Sequence, residues 1–110
     1  MDRAQFYKEV YSIIKEIPYG NVSTYGKIAQ LIGKPQCSRM VGQALSHAPE
    51  EQHLPCHRVV NSQGRLVPGW QKQKELLEKE GITFKPNGCV NMPKHLWDTT
   101  GSLTSTIGIR

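Results

Sequence analysis

The chain has 110 residues, enough for one domain around a single small core. At that length about two-thirds of the unfolded chain's surface can be buried, so folding requires neither disulfides nor a metal. Fourteen Lys and Arg against nine Asp and Glu give a net charge of +5, which argues against an acidic ligand cage. No apolar stretch approaches the roughly 20 residues of a membrane span, and no apolar run of a secretory leader follows Met1–Gln5. Cys37, Cys56 and Cys89 are odd in number and widely spaced. They make no disulfide framework and fit a cytoplasmic chain with reduced thiols.

Asp2 with Gln5 three residues later is a capping-box pattern. Phe6, Val10, Ile13, Ile14 and Ile17 then recur at helical spacing, and Pro18–Asn21 ends the helix. A second helix is expected from Ser23 or Thr24, with Ile28, Leu31 and Ile32 inward and Gly33 as its stop. A third runs from about Cys37 to His47, with Met40, Val41, Ala44 and Leu45 facing the core. Two short helices across a tight Gly-containing turn read as a helix-turn-helix. His57–Val60 and Arg65–Val67 flank a turn at Asn61–Gly64 and read as a small hairpin. A fourth helix covers about Trp70 to Glu80 and stops at Gly81. Ile82 to Trp97 is irregular with a turn at Pro86–Gly88, and 99–110 reads as a flexible tail. The fold class is mainly α: a winged-helix-like helix-turn-helix domain over residues 1–98 with a small β-hairpin.

The charge is uneven. Between Glu16 and Glu50 there is no acidic residue, while Lys27, Lys34 and Arg39 lie there. The helix-turn-helix thus presents the positive face that duplex phosphates attract, although three cations also fit an ordinary solvated surface.

Leu54–Val60 holds the densest chemistry. Cysteine attacks as thiolate, so Cys56 needs a group to lower its pKa or take its proton, and His57 and Arg58 stand beside it. Neighbouring side chains on a strand point to opposite faces, so Cys56 and His57 cooperate only if the backbone bends at Pro55. His47, His53, Cys56 and His57 also fall close together, but no second ligand pair matches zinc spacing, and no metal is expected. His95 reads as a surface or satisfied residue.

Pro55-Cys56-His57-Arg58-Val59 resembles the active-site motif of the O6-alkylguanine-DNA alkyltransferases. Ile17–Tyr25, Ser38–Ala44 and Leu76–Gly81 fit the same family in order and spacing, so the resemblance spans roughly residues 4–98. In size and in the closing segment from Asn87 to Trp97 the chain is closer to the alkyltransferase-like proteins. Those relatives typically carry Trp or Ala where this chain keeps Cys56.

The resemblance implies a DNA repair protein that binds O6-alkylguanine in duplex DNA through the minor groove and flips the damaged base out. Flipping is a physical requirement, because the O6 substituent is inaccessible within the stack. Arg39 would fill the gap in the stack, and Tyr25 would press the 3′ phosphate to rotate the nucleotide. Gly42, Gln43, Ala44 and Ser62 would complete the DNA contacts. Tyr25, Cys56, Val59 and Trp70 would line the alkylguanine pocket, with carbonyls of the Cys56–Val59 segment accepting from the base. Cys56 would accept the alkyl group, His57 would take its proton, Glu80 would orient His57, and Tyr25 would protonate the leaving guanine. No cofactor is needed.

Two versions of this function compete: single-turnover transfer to Cys56, or a non-enzymatic sensor that hands the lesion to nucleotide excision repair proteins. Cys56 favours transfer, whereas overall size and two departures favour the sensor. Ala48 stands where full alkyltransferases carry a bracing Asn, and the roof loop Val67–Trp70 is short. From another class, a transcriptional helix-turn-helix module would bind particular sequences, usually as a dimer. The lesion reader is expected to be a monomer without membrane association, cytoplasmic, or nuclear in a eukaryote.

Overall fold

The structure, a computed structural model, describes residues 2–99; apart from Thr99, the expected tail lies outside the described residues. Helix α1 (Arg3–Glu16) starts where its cap is: the Asp2 carboxylate accepts from the Ala4 amide at 3.0 Å. The reciprocal half of the capping box does not form, because Gln5 turns one helical turn forward and donates to Glu9 at 3.2 Å. Phe6, Val10 and Ile14 are buried, as their spacing requires.

Thr24 caps α2 (Tyr25–Ile32) by accepting from the Lys27 amide at 3.0 Å. Gly33 ends it at φ +89°, a left-handed conformation in which a Cβ would be strained. A single helical turn at Pro35–Cys37 then leads into α3 (Ser38–Ser46). Helices α2 and α3 pack on each other and on α1, and this is the helix-turn-helix. Helix α4 (Lys72–Lys79) and the short α5 (Met92–His95) follow further along the chain.

The expected hairpin is replaced by a different pairing. β1 (Ser23–Thr24) runs parallel to β2 (Val59–Val60), with Ser23 opposite Val59 and Thr24 opposite Val60. The turn at Asn61–Gly64 does close: the Asn61 side chain accepts from the amides of Gln63 and Arg65 at 2.9 and 2.8 Å. The returning run forms no ladder, because the Val67 amide donates instead to the side chain of Gln73 at 2.7 Å. A small antiparallel bridge arises elsewhere, between Phe84 and Val90 around the Pro86–Gly88 turn.

This two-residue strand joins two cores. Successive strand side chains point to opposite faces. Val59 therefore enters the cluster of Phe6, Val10, Ile14, Ile28 and Val41, while Val60 enters that of Val22, Leu77, Ile82 and Val90. Each fully buried aliphatic or aromatic side chain contributes about 1.5–3 kcal/mol relative to exposure. His95 is buried and satisfied, the second of its two expected states: its Nε2 accepts from the Thr83 amide at 2.9 Å and faces the Thr83 hydroxyl at 2.8 Å. Its carbonyl accepts from the Val22 amide and the Asn21 side chain, which fixes the strand leading into α2.

Candidate functional site

Pro55 sets the geometry of the central segment. From it the chain turns tightly through Cys56–Arg58, with the Arg58 amide donating to the Pro55 carbonyl at 3.0 Å and the Val59 amide to that of Cys56. This is the bend that two neighbouring side chains need in order to share one space. Cys56 and His57 both line a cavity of about 780 Å³, together with Tyr25, Gly42, Val67 and Trp70. Ala48 is also in its wall.

Behind the cavity, Glu80 gathers three parts of the chain. Its Oε2 lies 2.6 Å from His57 Nε2, its Oε1 accepts from the Gly20 amide at 2.9 Å, and Arg58 Nε donates to both oxygens at 3.0 Å. Arg58 also donates to the Ile17 carbonyl at 2.9 Å and lies over the Tyr19 ring. The Glu80 side chain is only 5% exposed. Burial works against its charge, but the bonds from Arg58, Gly20 and His57 outweigh this and hold the carboxyl below its usual range. An ionised Glu80 requires a proton on His57 Nε2, which leaves Nδ1 as the basic nitrogen of the neutral ring.

The thiol itself is not pre-activated. Burial pushes the Cys56 pKa up, opposed by a backbone hydrogen bond, so at neutral pH the sulfur carries its proton until a base removes it. Burial likewise raises the Tyr25 phenol, which keeps its proton at neutral pH.

The remaining site residues fall on both sides of the surface. Tyr25 opens α2, half-buried, with Gly42 of α3 packed beside its ring. Arg39 and Gln43 are exposed on α3, and Ser62 is exposed on the Asn61–Gly64 turn. Two expectations need correction. Ala44 is fully buried against α1, where its carbonyl accepts from the Tyr11 hydroxyl at 2.7 Å, so its side chain cannot touch DNA. Val59 is fully buried in the core and is not part of the cavity wall; its carbonyl accepts from Gln73, as does that of His57, both at 3.1 Å. Among the described residues no three of His, Cys, Asp and Glu gather as metal ligands. Gly20, Gln73 and the structural part of Arg58 were not evident from sequence, because no local pattern names their partners, which lie between 6 and 60 residues away. The one local signal was the charge of Arg58 within the motif.

Residues 5–82 match the family described as 6-O-methylguanine DNA methyltransferase, DNA binding domain. Alkyltransferase-like protein 1 of Schizosaccharomyces pombe is 43% identical over 102 residues, covering 84% of this chain and 94% of that protein. The DNA base-flipping protein of Vibrio parahaemolyticus is 43% identical over 96 residues, covering 84% and 96%. The crystal structure of S. pombe Atl1 in complex with damaged DNA containing O6-carboxymethylguanine superposes with a TM-score of 0.79 at 42% identity, covering 89% of this chain and 99% of that one. The chain belongs to the family of the 6-O-methylguanine DNA methyltransferase DNA-binding domain.

Proposed function

We propose that the protein binds duplex DNA carrying O6-alkylguanine, turns the damaged nucleotide into the cavity beside Cys56, and takes the alkyl group onto that thiol. The observation that carries this reading is the shared cavity: a phenol on one wall, a thiol and a carboxylate-held imidazole on the other, next to an exposed acid-free helix bearing Arg39. The named relatives, one bound to O6-carboxymethylguanine DNA and one called base-flipping, support the lesion-binding and base-turning parts of this reading.

The thiol proton passes through a water to His57 Nδ1, and Glu80 stabilises the imidazolium. Sγ then forms a bond to the alkyl carbon as the carbon–O6 bond breaks. The electron pair stays with guanine, which takes a proton from Tyr25. The thioether is permanent, so each molecule acts once. Arg39 fills the vacated stack from the minor groove, and the protein works as a monomer.

A second reading is favoured by the short Val67–Trp70 roof over the cavity and by a thiol that burial keeps neutral. A misaligned methyl costs about a hundredfold in rate per ångström. In that case the protein marks the lesion for nucleotide excision repair. Intact mass after incubation with a duplex containing one O6-methylguanine separates the two: a gain of one methylene, lost in Cys56→Ala, is transfer. Tight lesion binding without that gain is sensing.

A further inference from the structure

We infer that Gln73 is a positioning residue for the Cys56–His57 turn, tying the roof of the cavity to its nucleophile-bearing wall; the inference rests on the transfer reading above.

Gln73 is fully buried in α4, a helix that is otherwise mostly polar and solvent-facing. A buried carboxamide is costly unless both its ends are satisfied, and here they are. Its oxygen accepts from the Val67 amide at 2.7 Å, and its nitrogen donates to the carbonyls of His57 and Val59, each at 3.1 Å. Val67 and His57 lie in the wall of the same cavity. One side chain therefore sets the distance between the short roof loop and the segment that carries the thiol.

The arrangement also divides the control of His57. Glu80 fixes its ring through Nε2, and Gln73 fixes its backbone through the carbonyl. With both in place the ring has one orientation relative to Cys56. With only Glu80, the backbone turn can rotate while the ring bond persists.

The test uses the full chain and two variants. Gln73→Met keeps the length and volume but removes donor and acceptor. Gln73→Glu keeps an acceptor for Val67 and, only while protonated, one donor for a carbonyl. The first readout is the His57 imidazole proton resonance of the DNA-free protein, which reports the 2.6 Å bond to Glu80. Wild type should give one sharp downfield signal, and Gln73→Met a shifted or broadened one at temperatures where circular dichroism shows it folded. The second is single-turnover transfer from an O6-methylguanine duplex, expected to fall about a hundredfold in Gln73→Met, the cost of roughly 1 Å of misplacement.

If Gln73→Met does not fold, Gln73→Glu decides through its pH profile. Its rate and its His57 signal should approach wild type in acid and depart as the introduced carboxyl ionises. A folded Gln73→Met with an unchanged His57 signal, or a Gln73→Glu to wild-type signal that is the same at every pH, overturns the inference. If wild type itself transfers nothing, the transfer reading fails, yet the His57 resonance still decides whether Gln73 positions the turn.

Discussion

His57 and Glu80, 23 residues apart, share a 2.6 Å hydrogen bond, and the same carboxylate also holds Arg58 and the Gly20 amide. One buried anion thus links the turn after α1, the nucleophile-bearing turn and the end of α4. Removing it leaves Arg58 as an unpaired, mostly buried charge. Glu80→Ala should cost about 3 kcal/mol or more in urea unfolding, since breaking such a pair is far more costly than never having built it. Transfer should fall with it, whereas Glu78→Ala, on the exposed face, should leave both unchanged.

Acid should unfold the protein in two parts. Burial, aided by Lys94, lowers the His95 pKa from 6.5, against a hydrogen bond to the Gly20 backbone. The unfolded chain therefore binds a proton there first, and stability begins to fall as pH drops below about 6.5. Glu80, also lowered, contributes stability that is complete above 4.5 and is lost as pH falls through its folded value. Urea midpoints across pH 7 to 3 should show both, with His95→Gln removing the first slope and Glu80→Gln reducing the second.

Tyr25 separates flipping from chemistry. Tyr25→Phe keeps the ring beside Gly42 and should retain lesion preference while slowing transfer by about 10²–10⁴-fold, the usual value of a positioned acid. Tyr25→Ala should lose both. Single-turnover kinetics beside equilibrium binding distinguishes the two outcomes.

The acid-free face should reveal itself in salt. Lys27→Ala and Lys34→Ala should each reduce the slope of log affinity against log salt by about 1 if the side chain meets a phosphate. Arg39→Ala should instead remove the preference for damaged over undamaged duplex. Lys27 and Arg39 are exposed and Lys34 is partly buried, so thermal unfolding should shift little, and most in Lys34→Ala.

Gly64 tests the fold away from the site. Its φ is +86°, and a Cβ there would sit 2.8 Å from the Val90 carbonyl oxygen. Gly64→Ala should destabilise by more than about 1 kcal/mol, because the backbone conformation and the space both refuse a methyl. The urea midpoint measures this.

Local signals in the sequence were enough for the helices. The α1 stripe, the Thr24 cap and Gly33 each act within one turn of chain, and all three are where they were expected. The sheet was not legible in the same way, because β2 finds its partner 36 residues upstream and two residues carry no register of their own. Ala44 has two expected places, the core by its helical spacing and DNA by its motif position, and the structure agrees with the first. Its motif position suggested DNA, but it lies three residues after Val41 and shares that residue's buried face. The cavity residues Tyr25, Cys56, His57 and Trp70 could be named from the family resemblance, whereas the Gly20–Arg58–Glu80 network and Gln73 depend on contacts that only the folded chain creates.

Lesion recognition is most directly tested by competitive binding of Cys56→Ala, in which transfer cannot intervene. One duplex carries a single O6-methylguanine and its competitor is the same duplex undamaged. Base flipping into the cavity predicts tighter binding to the damaged duplex in every flanking sequence. Equal affinity for the two would contradict it.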